Sequence, residues 1–182
     1  MEKDDLSPEE AEQAGAEFEK VLAINPRYSD AYLSYSNLLV MRNRSDDAYK
    51  LLQRARQSGV EDPDVETKIG LLEMTKGEAT GAKSAFERAV ALHPRASMAL
   101  EGLGRIAYAQ GDYYLAAHYY ARAFESLPSA HLAKTLGSIF LHELDDVRSA
   151  LRAYHMALDR TSPDDPDYQR LQELISSLEE IK

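Results

Sequence analysis

The stretch SMALEGLGRIAYAQGDYYLAAHYYARAFESLPSA, residues 97–130, decides the fold. Ala116, Tyr120 and Ala123 stand at i, i+4 and i+7, which is one face of an α-helix. Gly104 lies in an earlier helical segment, and Gln110-Gly111-Asp112 between the two reads as a turn. A glycine inside a helix costs about 1 kcal/mol relative to alanine. Its presence at Gly104 therefore implies that another helix backbone comes close there. Pro128 closes the second segment, because proline cannot continue a helix and restricts the residue before it.

Working outward, the same marks recur every 34 residues. Alanines stand at Ala14, Ala48, Ala82, Ala116 and Ala150, followed four residues later by Phe18, Leu52, Phe86, Tyr120 and Tyr154. Three further on come Val21, Ala55, Ala89, Ala123 and Ala157. Ahead of each full set lies a small residue, Ser36, Gly70, Gly104 or Gly137, the last of them one residue early. We assign that slip to an extra residue in the turn His142–Asp146, which leaves Leu132, Leu136, Ile139 and Phe140 facing the core. Ser7-Pro8-Glu9-Glu10 is a capping box with proline at the first helical position, and Asp62-Pro63 and Asp165-Pro166 repeat the cap-and-proline signal. A period of this length marks a repeat array of antiparallel helix pairs, with small residues admitting the large ones of the neighbouring helix.

With its Leu103-Gly104, Tyr108, Gly111-Asp112-Tyr113, Ala116, Tyr119-Tyr120, Ala123 and Pro128, the unit 97–130 resembles the tetratricopeptide repeat family, and the resemblance covers residues 7–163. It implies an all-α fold, a right-handed α-solenoid of antiparallel helix pairs. The expected organisation is a flexible acidic tail at 1–6, a lone B-type half repeat at 7–26, repeats at 29–62, 63–96, 97–129 and 130–163, and a capping helix at 164–182. In the last helix Tyr168, Leu171, Ile175 and Leu178 share a face, as a terminal cap requires. Tyr108, Tyr113, Tyr119 and Tyr120 occupy slots where family members carry aromatics and are read as packing, whereas Tyr114 stands where a charge is usual and is read as an exposed contact. The large aromatic early in helix A is Tyr32 in one unit but Glu66, Leu100 and Ala133 in the others.

Composition narrows the function. With no cysteine there is no disulfide framework and no thiolate chemistry, and five scattered histidines offer little to a metal. No glycine-rich phosphate loop, HExxH pattern or nucleophile elbow is present, so neither an enzyme nor a cofactor is expected. The net charge of −10 sits at the ends: residues 1–20 carry eight acids against Lys3 and Lys20, and residues 161–182 six against Arg170 and Lys182. The body between is neutral, which argues against nucleic acid as a partner. No apolar run reaches membrane-spanning length, so no direct membrane insertion is expected. A cytoplasmic location is the expectation, with a periplasmic or membrane-tethered parent protein left open.

In the family the A helices line a concave groove that holds a peptide or helix of another protein, and the resemblance implies the same here. Helical spacing nominates Leu33, Asn37, Val40 and Met41 on the first A helix, then Thr67, Leu71 and Met74, then Met98, Glu101, Arg105 and Tyr108, then His131, Lys134, Leu141 and His142. The groove set proper is Leu33, Asn37, Met41, Leu71, Met74, Met98, Arg105, Tyr108 and Lys134. Three of the five methionines fall on it, and methionine suits varied apolar partners; filling gaps between helices is the alternative use. The carboxylate clamp of one family subclass is not expected. Asn37 matches it, but Leu33, Lys68, Met98 and Gly102 stand in place of its other Lys and Asn residues. Arg105 and Lys134 are the candidate anchors for an acidic group. The alternative function is a structural assembly subunit that docks through its ends or convex face, including self-association through the N-terminal half repeat.

Overall fold

The computed structural model describes residues 7–180; the expected acidic tail at 1–6 lies outside them. Among the described residues every regular element is helical. The chain divides into two compact units, Met1–His93 and Pro94–Lys182. The first holds α1 (Pro8–Ile24), α2 (Ser29–Met41), α3 (Ser45–Gln57), α4 (Pro63–Thr75) and α5 (Ala79–Leu92). The second holds α6 (Ser97–Ala109), α7 (Tyr113–Ser126), α8 (Ala130–Ser138), a π-helical turn (Ile139–Glu143), α9 (Val147–Leu158) and α10 (Pro166–Glu180).

The start signals work as local chemistry requires. Ser7 Oγ accepts from the Glu10 amide at 3.2 Å while the Glu10 carboxylate accepts from the Ser7 amide at 2.7 Å, completing the capping box of α1. Asp62 accepts from the amides of Asp64 and Val65 at the head of α4. Within each unit consecutive helices fold into hairpins, α2 on α3 and α4 on α5, then α6 on α7 and α8 on α9. The first helix of each hairpin is termed A and the second B.

Three-residue turns close all four hairpins. Their central residues, Asn43, Gly77, Gly111 and Asp145, have φ of 58°, 79°, 78° and 52° and lie 34 apart. In three of them the amide after that residue returns to the A helix: Arg44 to Leu39, Glu78 to Glu73 and Asp112 to Ala107, at 2.8–3.0 Å. In the fourth, Asp146 reaches one residue further back, to Phe140 at 2.7 Å. The turn has therefore kept its register, and the extra residue lies before it. It is taken up by the π turn Ile139–Glu143, where Leu144 N–H bonds to the Ile139 carbonyl. This corrects the placement of the insertion in the turn His142–Asp146: Gly137 and Ala150 bound it from the sequence, but the left-handed Asp145 is what locates it.

The cores follow the small-to-large rule. A methyl group on Gly70 would sit 2.6 Å from the Phe86 ring, one on Gly137 2.6 Å from Tyr154, and one on Gly104 3.0 Å from Tyr120. The slot residues Ala48, Ala82, Ala116 and Ala150 are wholly buried, as are Ala55, Ala89, Ala123 and Ala157. Leu171, Ile175 and Leu178 of α10 are buried on the last hairpin with Tyr154. Tyr32, at the early A-helix slot, is buried and donates its hydroxyl to the Pro26 carbonyl at 3.2 Å. Glu66 occupies the same slot in α4. It is 4 % exposed, and its carboxylate accepts from Arg56 at 2.5 and 2.8 Å and from Arg88 at 2.9 Å. A buried carboxylate is tolerated because two guanidinium groups satisfy it.

The A-helix faces as a candidate interaction site

The short turns set the A helices of each unit side by side, and each unit is described by itself. In the first unit α2 and α4 present an apolar strip crossed by one polar strap. Met41 is 70 % exposed and Val40 is also exposed at the end of α2. Leu71 and Met74 on α4 are half-buried, and Leu33 is half-buried against the core beneath. Asn37 accepts a hydrogen bond from Lys68 across the two helices. Burial lowers the Lys68 pKa from its usual value. Thr67 does not join this surface: it is buried and bonds to the Pro63 carbonyl one turn back at 2.7 Å.

The second unit presents a more polar face. Met98 and Arg105 are exposed on α6, and no hydrogen bond or ion pair engages Arg105 among the described residues of this unit. Tyr108 is exposed as well, contrary to a purely packing role. It meets Tyr113 edge-on at 5.3 Å and donates to Glu143 at 2.6 Å, which raises its pKa. Of the remaining tyrosines in the cluster, Tyr120 is buried, Tyr113 and Tyr119 are half-buried, and Tyr114 is exposed. Burial, with the Glu101 charge nearby, pushes Tyr120 up to about 12. Glu101 faces His131 at 3.7 Å. Leu141 is half-buried among the last core cluster, and His142 is exposed.

Lys134 is already committed, since its ammonium donates to Asp167 at the head of α10 at 2.6 Å. The sequence had nominated it as an anchor for a ligand. Lys68, Glu143 and Asp167 were absent from the nominated set, although each lies about one repeat beyond its partner, a spacing that could have found them. Hydrogen bonding to Lys134 holds Asp167 below the usual carboxylate range. A depressed carboxylate contributes stability above its unfolded pKa and loses that contribution as pH falls through its folded pKa. The seating of α10 is therefore expected to weaken on acidification below the ordinary aspartate range. Lys134→Ala should flatten that acid-range dependence, as followed by amide exchange along α10.

Among the described residues no group of three or more His, Asp or Glu is placed to hold a metal ion, and no helix is long and apolar enough to cross a membrane. The fold is shared with solved structures. MamA superposes with a TM-score of 0.71 at 18 % identity, covering 84 % of this chain and 89 % of its own. PilW, described as a widely conserved type IV pilus biogenesis factor, gives 0.70 at 19 % identity over 93 % of this chain and 79 % of its own. YrrB, described as a tetratricopeptide repeat protein with an unusual peptide-binding site, gives 0.68 at 22 % identity over 91 % and 84 %. No curated protein sequence matches the chain. Two tetratricopeptide repeat models match it, over residues 6–72 and 67–131. Those matches together span more than half of the 182 residues and fall on the phased helix pairs, so the chain belongs to the tetratricopeptide repeat family.

Proposed function

We propose that the protein is a non-catalytic interaction module whose A-helix faces bind a peptide or helix of a partner protein. The observation that carries this is the strip on the first unit: Val40 and Met41 exposed beside half-buried Leu33, Leu71 and Met74, apolar and reachable where a folded chain gains by burying such groups. Methionine and leucine make that strip adaptable to varied apolar anchors. The second unit adds a face with Met98, Tyr108 and one unengaged cation, Arg105, which suits a partner segment carrying an acidic side chain. Lys134 is held by Asp167 and acts as a strap, so the acidic anchor falls to Arg105. The peptide-binding site named for YrrB supports the same class of role for this chain.

Peptides selected against the protein from a random library test the reading. Leu71→Glu with Met74→Glu should weaken their binding by about a hundredfold or more, since two charges enter the apolar strip. Circular dichroism should show the helices retained. Binding unchanged in that folded variant would contradict the assignment of the apolar strip.

A further inference from the structure

Of the large residues set against Ser36, Gly70 and Gly104, Leu52 and Phe86 end in carbon, whereas Tyr120 ends in a hydroxyl. A methyl group on Gly104 would lie 3.0 Å from Cδ2 and Cε2 of the Tyr120 ring, so the ring edge rests on the bare backbone of α6. Glu101, Gly104, Arg105 and Tyr108, at i, i+3, i+4 and i+7, share a face of that helix. Burial is the largest influence on the Tyr120 pKa, and Glu101, Arg105 and Tyr108 come next. The hydroxyl therefore lies within electrostatic reach of the A-helix face of the second unit.

This hydroxyl is unspent. Tyr120 is 6 % exposed, and it makes no hydrogen bond among the described residues. Glu73 Oε2 is the one wholly enclosed side-chain oxygen there that lacks a partner, so the Tyr120 oxygen keeps a small opening to solvent. With its pKa pushed up to about 12, it holds its proton and remains a donor throughout the physiological range. A donor so nearly buried and without an acceptor is costly.

Its surroundings decide the chemistry of the ligand. The acceptors are taken: Glu143 accepts from Tyr108 at 2.6 Å, and Glu101 faces His131 at 3.7 Å. The donors are not, since Arg105 is exposed and unengaged and Tyr120 has no acceptor. Two unused donors, one of them cationic, match the two oxygens of a carboxylate. Resting on the peptide-binding reading of the A-helix faces, we infer that Tyr120 contacts the ligand: its hydroxyl and the Arg105 guanidinium together receive a carboxylate of the bound partner segment. A lysine or arginine of the partner is the poorer occupant, because it would meet Arg105 and find no free acceptor. Tyr154 supplies an internal control. It packs on Gly137 as Tyr120 does on Gly104, but burial is the one influence on its pKa.

The test uses peptides selected from a random library against the full chain. Each is remade with its acidic side chains as amides, and again with its C-terminal carboxylate amidated, and binding is read by fluorescence anisotropy. With the wild type, one of the two exchanges should weaken binding by about tenfold or more, and which one does so tells a side-chain carboxylate from a chain end. Tyr120→Phe keeps the ring on Gly104 and should cut that acid-over-amide ratio by about threefold or more. Arg105→Gln should cut it as well, and Tyr154→Phe should leave it unchanged. A ratio of two ligands on one folded protein is not imitated by a loss of stability. Binding that Leu71→Glu with Met74→Glu or Met98→Glu weakens, with a ratio that Tyr120→Phe leaves intact, would overturn this inference alone. Binding that none of these A-face variants changes would overturn the peptide-binding reading with it. A ratio near one in the wild type, or an equal fall with Tyr154→Phe, would also overturn the inference.

Discussion

Phe86→Ala is expected to destabilise the first unit by about 3–5 kcal/mol, a large part of the roughly 5–15 kcal/mol that holds a typical domain together. Phe86 is fully buried, and the surface it covers is the bare backbone of Gly70. Gly70 has no side chain to fill the space left opposite it, so a cavity is expected to persist there and the loss to fall near the upper end. The reciprocal change is more diagnostic. Gly70→Ala would gain roughly 1 kcal/mol from helix propensity in isolation. In the protein it should instead lose about 1–3 kcal/mol, because the new methyl lands 2.6 Å from the Phe86 ring. Once Phe86 is alanine the clash is gone, and Gly70→Ala should become stabilising. A double-mutant cycle by denaturant unfolding reads that change of sign. Additive effects would mean that the two residues do not face each other.

Removing both guanidinium groups from Glu66 is the second large effect. Arg56→Ala with Arg88→Ala leaves a carboxylate that is 4 % exposed without its cations. Stripping a buried charge of its partner costs about 3–5 kcal/mol. The lower end applies, because the two arginine side chains are 28 % and 44 % exposed and water can enter along them. Glu66→Leu should behave quite differently. It replaces the whole arrangement with the residue type that Leu100 supplies in α6, and it should be near neutral or stabilising despite losing three hydrogen bonds. Denaturant midpoints of the two variants, compared with the wild type, distinguish these outcomes.

The helix pairs were legible because one constraint writes them: wherever two backbones come close, one side chain must be small and its opposite large. Ser36, Gly70 and Gly104 with Leu52, Phe86 and Tyr120 record that constraint in phase. The insertion near Gly137 was legible as an event but not as a place. A glycine at position 145 would have marked the left-handed turn as Gly77 and Gly111 do, and Asp145 conceals it.

The candidate site was legible only in part. Tyr108 satisfied both a packing slot and the exposed face, and periodicity does not separate the two when Val40, Met74 and His142 share its phase. Thr67 has the spacing of a surface residue but is held inward by its own helix. The straps that engage Asn37, Tyr108 and Lys134 depend on which side chains of adjacent helices come within reach. Spacing suggests such pairs but does not choose between them.

A selected peptide bearing a photoreactive group, cross-linked to the folded protein and mapped by mass spectrometry, tests the central claim most directly. The account predicts labelling on Val40, Met41 and Met74 of the first unit or Met98 and Tyr108 of the second, all on A helices. Labelling confined to B helices, at Lys50 and Lys83 or at Tyr114 and His118, would contradict it.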